Sequence, residues 1–350
     1  MIRSTKPFLV IKRKSSIYQG DASEILSLVL PRHGRVVILT DENVARYHPE
    51  LVGRYPHLLV GQGERAKSLA AARQLYLQFI ELGVDRSWWV VGIGGGVVCD
   101  LAGFVASTYM RGLKFGFVPT TLLAQVDASV GGKNAVNLNG YKNMVGTFSQ
   151  PHFVICDSKL LHSLPVREFR AGMAEVIKAA IIGNADLFMK LEFLSNRRMR
   201  MGFKHLDQVI RAAIEVKAAI VQRDEKEQGE RKLLNLGHTF AHAIEKCEPK
   251  FNHGEAVAVG ILIACRIAAR LGLMREEEVA LIARVIGEHQ LPLSAPPYLI
   301  PKFLRAIAKD KKRAGDRLSV ILPQGIGSCT IRSMTFEELS ELFPKECGYC

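Results

Sequence analysis

The sequence predicts a two-domain α/β protein, with a parallel-sheet domain first and a mainly α-helical domain after it. From residue 35 to about residue 157, short β-branched runs alternate with longer helical patterns, which is typical of a parallel sheet covered by helices on both faces. After Leu160 the strand signal fades and helical periodicity dominates. We therefore divide the chain into residues 1–158 and 159–350. Its 350 residues, 48% of them hydrophobic, suffice for two cores.

Local patterns define the elements of the first domain. Its predicted strands are the runs RVVILT, HLLVG, WWVVGIG and FGFVPT. The predicted helices between them cover residues 67–82 and 97–107. Because ligands bind at the carboxyl ends of parallel strands, we expect the loops there to hold a ligand site.

In the second domain, apolar residues recur at helical spacing in five segments. These are residues 166–182, 204–223, 236–248, 255–271 and 276–289. A short strand pair, LSVILP and GSCTIR, is predicted late in the chain, because Gly325 and Gly327 favour a turn between two β-branched runs.

The formal net charge of +13 does not by itself identify a partner. Basic residues cluster only briefly, at residues 12–14, 197–200 and 309–313, with no aromatic-interleaved stripe or zinc finger beside them. The apolar runs are too short, or too interrupted by charge, for a membrane span, and the N-terminal apolar run is too short for a signal peptide. We expect no nucleic-acid or membrane partner and, by default, a cytoplasmic location.

The seven cysteines are scattered, and an odd number cannot all pair within one chain, so we expect reduced thiols. Cys347 and Cys350 form a terminal CGYC pair of the kind found in redox or metal sites. No second pair lies nearby in the sequence, so we interpret this pair as part of a loose tail.

The predicted strand WWVVGI leads into Gly94-Gly95-Gly96 and then into a helix. This arrangement brings bare backbone amides and a positive helix end to one place, which suits a pyrophosphate. The strict dinucleotide fingerprint fails, because Cys99 occupies its third glycine position and no acidic residue follows at the distance that a ribose requires. The pattern leaves both nucleotide binding and a plain tight turn open.

A second glycine pair, at residues 131–132, precedes Lys133, and a polar loop brings in Lys142 and Asn143. Lysines supply charge and an amide supplies orientation, so this loop suits a phosphate. An exposed basic loop without a ligand is the alternative.

The stretch NLGHTFAHAIEKCEPKFNHGEA holds three histidines. Read as a helix, it places His238, His242 and Glu245 on one face and apolar side chains on the other. Pro249 ends that helix, and His253 lies at the entrance of the next one. We interpret this stretch as part of a metal site.

In the predicted helix AGMAEVIKAAII, only Glu175 and Lys178 are charged, and their spacing puts them on one face. A buried ion pair is one explanation, although desolvation makes such a pair a weak source of stability. In the functional interpretation Glu175 binds a metal with His238 and His253, a set that suits zinc with positions open for substrate hydroxyls, and Lys178 contacts the substrate. Isolated histidines are commonly structural, so both interpretations stay open at this point.

Seven motifs, taken in order, resemble those of the 3-dehydroquinate synthase family of sugar phosphate cyclases. They are GGGVVCDLAGFVASTYMRGL, PTTLLAQVDASVGGK, KNMVGTF, LPVREFRAGMAEVIK, ERKLLNLGHTFAHAIE, HGEAVAVG and KDKKRAG. The similarity extends over about residues 35–345. It implies a Rossmann-like N-terminal domain that binds NAD, a mainly α-helical C-terminal domain, a divalent metal between them (zinc, with cobalt as the alternative), and a homodimer.

The implied activity is that of a phosphate-eliminating lyase of the shikimate pathway, which converts 3-deoxy-D-arabino-heptulosonate 7-phosphate to 3-dehydroquinate and phosphate. By position, the metal ligands would be Glu175, His238 and His253. The NAD-binding positions would be Asp41, Glu64, Lys67, Gly95, Gly96, Asp100, Thr120, Thr121 and Lys142.

The resemblance also implies contacts to the substrate. The phosphate would bind Lys133, Asn143 and Lys311, with Arg111 reaching in from the partner subunit, and the substrate carboxylate would bind Lys217 and Arg231. The catalytic positions near the reacting hydroxyls would be Lys178, Asn235, His242 and Asp127. Of these, His242 is our candidate for relaying protons.

The chain departs from the family pattern at three positions. Cys99 and Ala241 stand where glycine is usual, and Asn134 stands where threonine is common. Both glycine replacements are small, so we expect the helix packing to survive and every catalytic group to be retained. At Cys99 we expect an effect on how closely the backbone approaches the pyrophosphate.

Three other functions compete with this assignment. Another sugar phosphate cyclase, such as a 2-deoxy-scyllo-inosose or valiolone-type synthase, would not need Arg231, Asn235 and His242, because its substrate lacks the carboxylate. A metal-dependent polyol dehydrogenase would accumulate NADH. A basic nucleic-acid-binding protein would explain the charge but not the isolated Glu175 and Lys178.

Overall fold

The computed structural model of the chain describes residues 6–12, 14–31, 35–194, 203–296 and 317–343. The chain separates into two compact units, Met1–Pro165 and Val166–Cys350. The segment just after residue 158, which we assign from sequence to the second domain, groups with the first unit. Its Leu160 packs into the hydrophobic core of that unit.

A seven-stranded sheet forms the first unit. In chain order its strands are β1 (Leu9–Ile11), β2 (Ser15–Gln19), β3 (Val36–Asp41), β4 (His57–Val60), β5 (Trp89–Gly94), β6 (Lys114–Pro119) and, after a separate hairpin, β9 (Phe153–Cys156). The order across the sheet is β1-β2-β9-β6-β5-β3-β4, and only the β1–β2 pair is antiparallel. The predicted parallel sheet and its four predicted strands are confirmed, whereas β1, β2 and β9 are strands that we did not predict.

The helices of the first unit are α1 (Ala22–Val29), α2 (Glu42–Tyr47), α3 (Pro49–Val52), α4 (Leu69–Glu81) and α5 (Gly96–Thr108). Both predicted helices are present as α4 and α5. Helix α4 begins where the Ser68 hydroxyl accepts a hydrogen bond from the amide of Ala71 at 3.2 Å, and α5 begins directly after the glycines that end β5.

The prediction of a polar loop around Lys142 and Asn143 is wrong, because both residues lie on a strand. Strands β7 (Lys133–Leu138) and β8 (Tyr141–Phe148) form an antiparallel hairpin. Two features explain the hairpin. Buried positions alternate along β7, and Asn139 and Gly140 have positive φ values of 49° and 80°, as a tight hairpin turn requires.

Asn134 belongs to this hairpin and is buried. Its amide donates hydrogen bonds to the carbonyls of Gly132 and Ser149, at 3.1 and 2.9 Å. A Cβ on Gly103 of α5 would lie only 1.9 Å from Asn134 Oδ1. The asparagine that replaces the usual threonine therefore packs directly over a glycine of α5.

The second unit is mainly helical, as predicted. Its helices are α6 (Val166–Gly183), α7 (Ala185–Phe193), α8 (Phe203–Arg223), α9 (His238–Cys247), α10 (His253–Arg270), α11 (Glu276–Glu288) and α12 (Phe336–Leu342). The five predicted helices are all present. The late strand pair is confirmed as an antiparallel hairpin of β10 (Arg317–Pro323) and β11 (Cys329–Thr335).

Close backbone contacts join three of these helices. A Cβ on Gly254 of α10 would lie 2.2 Å from the carbonyl oxygen of Ala171 in α6, and a Cβ on Gly260 would lie 2.2 Å from that of Gly237 at the start of α9. Glycine at these positions lets α6, α9 and α10 approach closely, and Ala241 is fully buried in the same region. Within the described parts of the chain, no helix is both long and apolar enough to cross a membrane.

Candidate active site

Helices α6, α9 and α10 bring three predicted metal ligands together. Glu175 Oε1 lies 3.2 Å from His253 Nε2 and 3.7 Å from His238 Nε2, and one ligand atom from each residue falls within 4.8 Å of the others. In a tetrahedral site with metal–ligand bonds of about 2.1 Å, ligand atoms lie roughly 3.4 Å apart. These three residues, which we call the metal cluster, therefore fit a divalent ion in both spacing and donor type.

The surroundings of His238 leave one nitrogen of its ring for a metal, and a helix cap fixes the backbone position of His253. His238 Nδ1 donates to the carbonyl oxygen of Leu236 at 3.2 Å, which leaves the lone pair on Nε2. His253 is the first residue of α10, where Asn252 and Glu255 form a capping box that fixes the start of the helix. Sequence periodicity alone could place both histidines at helix starts, but not their approach to Glu175.

Glu175 and Lys178 are both almost fully buried, and Lys178 Nζ lies 2.5 Å from Glu175 Oε2. Burial alone would raise the pKa of Glu175, but Lys178 and the two histidines hold it well below its usual range. Burial and the Lys178 charge lower the pKa of His238 to about 3. Glu175 is therefore ionised and His238 neutral near pH 7, which are the states that bind a metal. Burial would lower the pKa of His253, but Glu175 and Glu245 raise it to about 10, so this ring would release a proton when a metal binds.

His242 lies one turn after His238 on α9 and is exposed, with its ring centroid 5.6 Å from that of His238. It does not belong to the metal cluster. The segment before α9 carries Arg231 and Asn235, and it packs against α8, which carries the buried Lys217.

The turn between α8 and α9 has a defined structure. The Asp224 carboxylate accepts hydrogen bonds from the backbone amides of Gln228, Gly229 and Arg231 at 2.7–3.0 Å. The buried guanidinium of Arg231 donates to a carbonyl oxygen of the same turn, that of Glu225. Arg231 is therefore held by its own turn.

Glu227 is a residue in this turn that the sequence analysis missed. Asn235 Nδ2 donates to Glu227 Oε1 at 2.5 Å, and Glu227 has a left-handed backbone with φ of 59°. Its position close to Arg231 in a polar turn is the only signal that the sequence offers. The structure adds a carboxylate directly beside the predicted catalytic asparagine.

In the first unit, Gly95, Gly96, Thr120 and Thr121 meet where β5 and β6 end, and we call them the glycine-rich edge. Gly95 is the N-cap of α5 and offers no side chain to the amides of the first turn. A Cβ on Gly95 would lie 3.1 Å from Thr121 Cγ2, so the neighbouring side chain leaves little room for one. Bare amides at the start of a 13-residue helix fit the pyrophosphate of a dinucleotide.

A polar network lies beside this edge. The buried ammonium of Lys67 forms an ion pair with Asp100 and donates to Asn143 Oδ1 at 2.5 Å. The backbone amide of Asn143 donates to Asn137 Oδ1 at 2.9 Å, and Asn137 Nδ2 donates to Glu64 Oε1 at 2.8 Å. Three predicted NAD positions and one predicted phosphate position therefore belong to one network, joined by Asn137, which the sequence analysis missed.

Burial raises the pKa of Asp100 to about 6, although the Lys67 charge opposes the shift. Asp127 is one of the charges that contribute to this rise, so it lies near Asp100. It belongs to the short helical turn Ala124–Ala128, on the segment after β6. The structure thus places Asp127 near the predicted cofactor positions.

Other predicted residues are less closely grouped. Asp41 uses its carboxylate to cap α2, accepting from the amide of Val44 at 3.0 Å. Lys133 and Lys142 are exposed on the β7–β8 hairpin, and Arg111 is exposed with a left-handed φ of 69°. Lys311, Cys347 and Cys350 lie outside the described residues. The five described cysteines are free thiols: Cys99, Cys156, Cys247, Cys265 and Cys329.

A cleft of about 430 Å³ in the first unit holds none of the predicted site residues; its lining includes Asp21, His48 and Asp157. Asp21 and Asp157 are already engaged with backbone amides: Asp21 caps α1, and Asp157 accepts from the amide of Ala22 at 2.9 Å. We therefore do not place the active site in this cleft, because its carboxylates have structural roles.

Comparison with known proteins identifies the family. Residues 57–171 match the family model for the 3-dehydroquinate synthase N-terminal region, and residues 172–313 match that for the C-terminal region. The 3-dehydroquinate synthase of Natranaerobius thermophilus is 41% identical over 337 residues, which cover 91% of this chain and 92% of that protein.

Two solved structures show the same fold with ligands bound. A 2-deoxy-scyllo-inosose synthase in complex with carbaglucose-6-phosphate, NAD+ and Co2+ superposes with a TM-score of 0.82 at 28% identity, covering 93% of this chain and 95% of that one. The 2-epi-5-epi-valiolone synthase of Streptomyces hygroscopicus with NAD+ and Zn2+ superposes with a TM-score of 0.84 at 26% identity, covering 95% and 97%. The predicted fold class is confirmed, and the chain belongs to the 3-dehydroquinate synthase family.

Proposed function

We propose that the chain catalyses the NAD- and metal-dependent conversion of 3-deoxy-D-arabino-heptulosonate 7-phosphate to 3-dehydroquinate and phosphate. The observation that carries the proposal is the metal cluster of Glu175, His238 and His253, with Lys178 paired to Glu175 and Arg231 held by its own turn. The family relationship supports the same reaction.

Glu175, His238 and His253 hold the metal in this proposal, and the NAD-binding positions are Asp41, Glu64, Lys67, Gly95, Gly96, Asp100, Thr120, Thr121 and Lys142. When bound, NAD would supply a hydride acceptor and donor for C5 of the substrate, and the metal would supply a charge that lowers the pKa of the neighbouring hydroxyls. The N-terminal unit thus serves mainly the cofactor and the C-terminal unit mainly the metal.

Phosphate elimination breaks a C–H and a C–O bond, ring opening breaks a second C–O bond, and aldol closure forms a C–C bond. Each of these steps also moves a proton, which positioned side chains assist. Lys178 holds the second oxygen of Glu175 and offers a cation to a substrate hydroxyl. Asn235 and Asp127 orient the substrate, and exposed His242 exchanges protons with the C5 hydroxyl and with solvent. The leaving phosphate takes a proton with its own oxygen, so the protein acts chiefly by holding intermediates in place.

Two groups of polar and positively charged side chains recognise the ends of the substrate in this proposal. Lys133, Asn143 and Lys311 bind the phosphate together with Arg111 of a second subunit, so the active form is a homodimer. Its location in this proposal is the cytoplasm. Lys217 and Arg231 bind the carboxylate, since a guanidinium pairs with a carboxylate through two parallel hydrogen bonds. This pair distinguishes the reaction from those of cyclases whose substrates have no carboxylate.

The test is to incubate the protein with the heptulosonate phosphate, zinc and substoichiometric NAD. Phosphate release in many-fold excess over NAD, with no net NADH, is the expected result, because the hydride returns to the substrate. Stoichiometric NADH would instead indicate a dehydrogenase. Turnover of a sugar phosphate without a carboxylate, at a kcat/KM equal to that for the heptulosonate, would indicate another cyclase.

A matched variant tests the carboxylate contact. Arg231→Lys keeps the charge but loses the paired hydrogen bonds, so KM for the heptulosonate phosphate should rise roughly 10-fold or more, equivalent to about 1.4 kcal/mol. The zinc content should not change. Arg211→Lys, at an exposed position on α8, is the control and should leave both quantities unchanged.

A further inference from the structure

Glu245 is a charged residue of α9 that the proposed function does not use. It lies two turns after His238, on the helix face that also carries His238 and His242. Its side chain is only 14% exposed, and its Oε1 lies 3.6 Å from His253 Nδ1. The other nitrogen of the same ring, Nε2, faces Glu175 Oε1 at 3.2 Å. His253 therefore lies between two carboxylates.

Glu245 faces the nitrogen of His253 that must keep its proton when the ring binds a metal. An imidazole that binds a metal through Nε2 must be neutral, with its proton on Nδ1. A carboxylate facing Nδ1 accepts that proton in a hydrogen bond and makes Nε2 a stronger donor to the metal. In the metal-loaded cluster the ion would take the place of the Nε2 proton that now faces Glu175 Oε1, whereas the Nδ1 proton would still face Glu245.

The two histidine ligands are oriented by different acceptors. His238 Nδ1 donates to the neutral carbonyl oxygen of Leu236 at 3.2 Å, whereas His253 Nδ1 faces a carboxylate. The local charges also differ. A divalent ion together with Glu175 and Lys178 would carry a net charge of two positive. Glu245 adds one negative charge and reduces this total to one positive.

We propose that Glu245 is a positioning residue for the metal, holding His253 in the tautomer that presents Nε2 and raising the metal affinity of the cluster. The inference rests on the proposed metal centre but not on the substrate or the reaction. Outer carboxylates of this kind affect metal affinity about 10- to 100-fold in other metalloproteins.

The experiment is a zinc titration of the metal-free protein in competition with a chromophoric chelator. Glu245→Gln keeps the shape of the side chain and removes its charge, and should weaken zinc binding about 10- to 100-fold. Glu245→Asp keeps the charge but moves it away from His253, and should give an intermediate affinity. Glu215→Gln, at an exposed glutamate of α8 that pairs with Arg211, is the control and should bind as the unmodified protein does.

A structural role for Glu245 would give a different result. If it only joined α9 to α10, Glu245→Gln would lower the melting temperature of the metal-free protein and leave zinc affinity within about twofold, which would overturn the proposal. A second readout is the visible absorption spectrum of the cobalt-loaded protein. It should shift in Glu245→Gln and stay unchanged in Glu215→Gln, because only the former alters a ligand histidine.

The design separates this inference from the proposed function. Failure of the unmodified protein to bind zinc or cobalt would remove the metal centre itself, and the proposed function with it. Normal metal binding with an unchanged Glu245→Gln affinity would remove only the role of Glu245. Should Glu245→Gln not fold, Glu245→Asp decides: an affinity equal to that of the unmodified protein would also overturn the proposal.

Discussion

The metal cluster and the glycine-rich edge are built in different ways. The metal cluster consists of three side chains from three helices, which meet because Gly254 and Gly260 allow backbone contact. The glycine-rich edge consists mainly of backbone at strand ends and at the start of α5, and the polar network around Lys67 supports it. The difference implies that one substitution should abolish function at the metal cluster, whereas substitutions at the edge should reduce cofactor affinity in steps.

The largest expected effect comes from replacing the carboxylate of the metal cluster. Glu175→Gln removes the anionic ligand and breaks the buried ion pair with Lys178. We expect less than about a tenth of the normal zinc content and a loss of turnover of about 10³-fold or more. Breaking the buried pair should also lower the free energy of unfolding by about 3–5 kcal/mol.

Metal analysis measures the zinc content, phosphate release measures turnover, and urea unfolding measures the free energy of unfolding. The exposed Glu341→Gln of the same unit serves as the control for a lost charge. Retention of both metal and turnover in Glu175→Gln would show that this residue is not a ligand.

The sequence could predict the members of the metal cluster because each stands out locally. Glu175 lies in an otherwise apolar helix, and His238 and His253 lie at helix starts. The groups that orient them could not be predicted. The carbonyl of Leu236 and the carboxylate of Glu245 act through distances that only the packing of α9 against α10 establishes.

The same limit applies to the fold of the first unit. Strands β3, β5 and β6 could be predicted because runs of apolar residues fill buried parallel strands. Strand β1 has only three residues and is too short for a periodicity signal. The β7–β8 hairpin was missed because its lysines suggested a loop, although Asn139-Gly140 is a strong hairpin signal.

A glycine substitution tests whether the metal cluster depends on backbone contact. Gly237 has φ of 77°, and a Cβ there would lie 2.8 Å from the backbone nitrogen of Ile261. Gly237→Ala should therefore lower the free energy of unfolding by roughly 2–4 kcal/mol in a urea titration. The matched control is Gly272→Ala, with φ of 69° and open space around its Cβ, which should cost only about 1 kcal/mol. Equal losses of unfolding free energy in the two variants would mean that the backbone contact at Gly237 contributes nothing to stability.

Lys67→Met tests the polar network at the glycine-rich edge. Methionine keeps most of the volume but leaves the Asp100 carboxylate without its cation and Asn143 without a donor. The KM for NAD should rise roughly 10- to 100-fold, equivalent to about 1.4–2.8 kcal/mol, while the zinc content stays normal. Arg73→Met, at an exposed position of α4, should leave both unchanged. Parallel loss of NAD affinity and zinc would instead indicate a general folding defect.

The raised pKa of Asp100, about 6 against 3.8, predicts a pH-dependent stability difference. An acid with a raised pKa binds its proton more tightly in the folded state, so the stability it confers is present below about pH 4 and is lost as pH rises through 6. One fifth of the Asp100 side chain is exposed, so we expect a loss of only about 1–2 kcal/mol. Urea unfolding at pH 4.5 and 7 should show Asp100→Asn gaining stability relative to the unmodified protein by this amount. A pH-independent difference would mean that the pKa of Asp100 is not raised.

The smallest effect on NAD binding is expected at Cys99, which stands where the family usually has glycine. The side chain is 1% exposed, and its sulfur lies 3.8 Å from the carbonyl oxygen of Gly94, so it fills core space on the inner side of α5. Cys99→Gly should lower the free energy of unfolding by about 1–2 kcal/mol, from helix propensity and lost burial, and should change NAD affinity less than about twofold. Cys99→Ala keeps the helix propensity and should lose less stability. If Cys99→Gly instead tightened NAD binding severalfold, the position of α5 would limit cofactor affinity. The glycine-rich edge would then depend on helix packing as much as the metal cluster does.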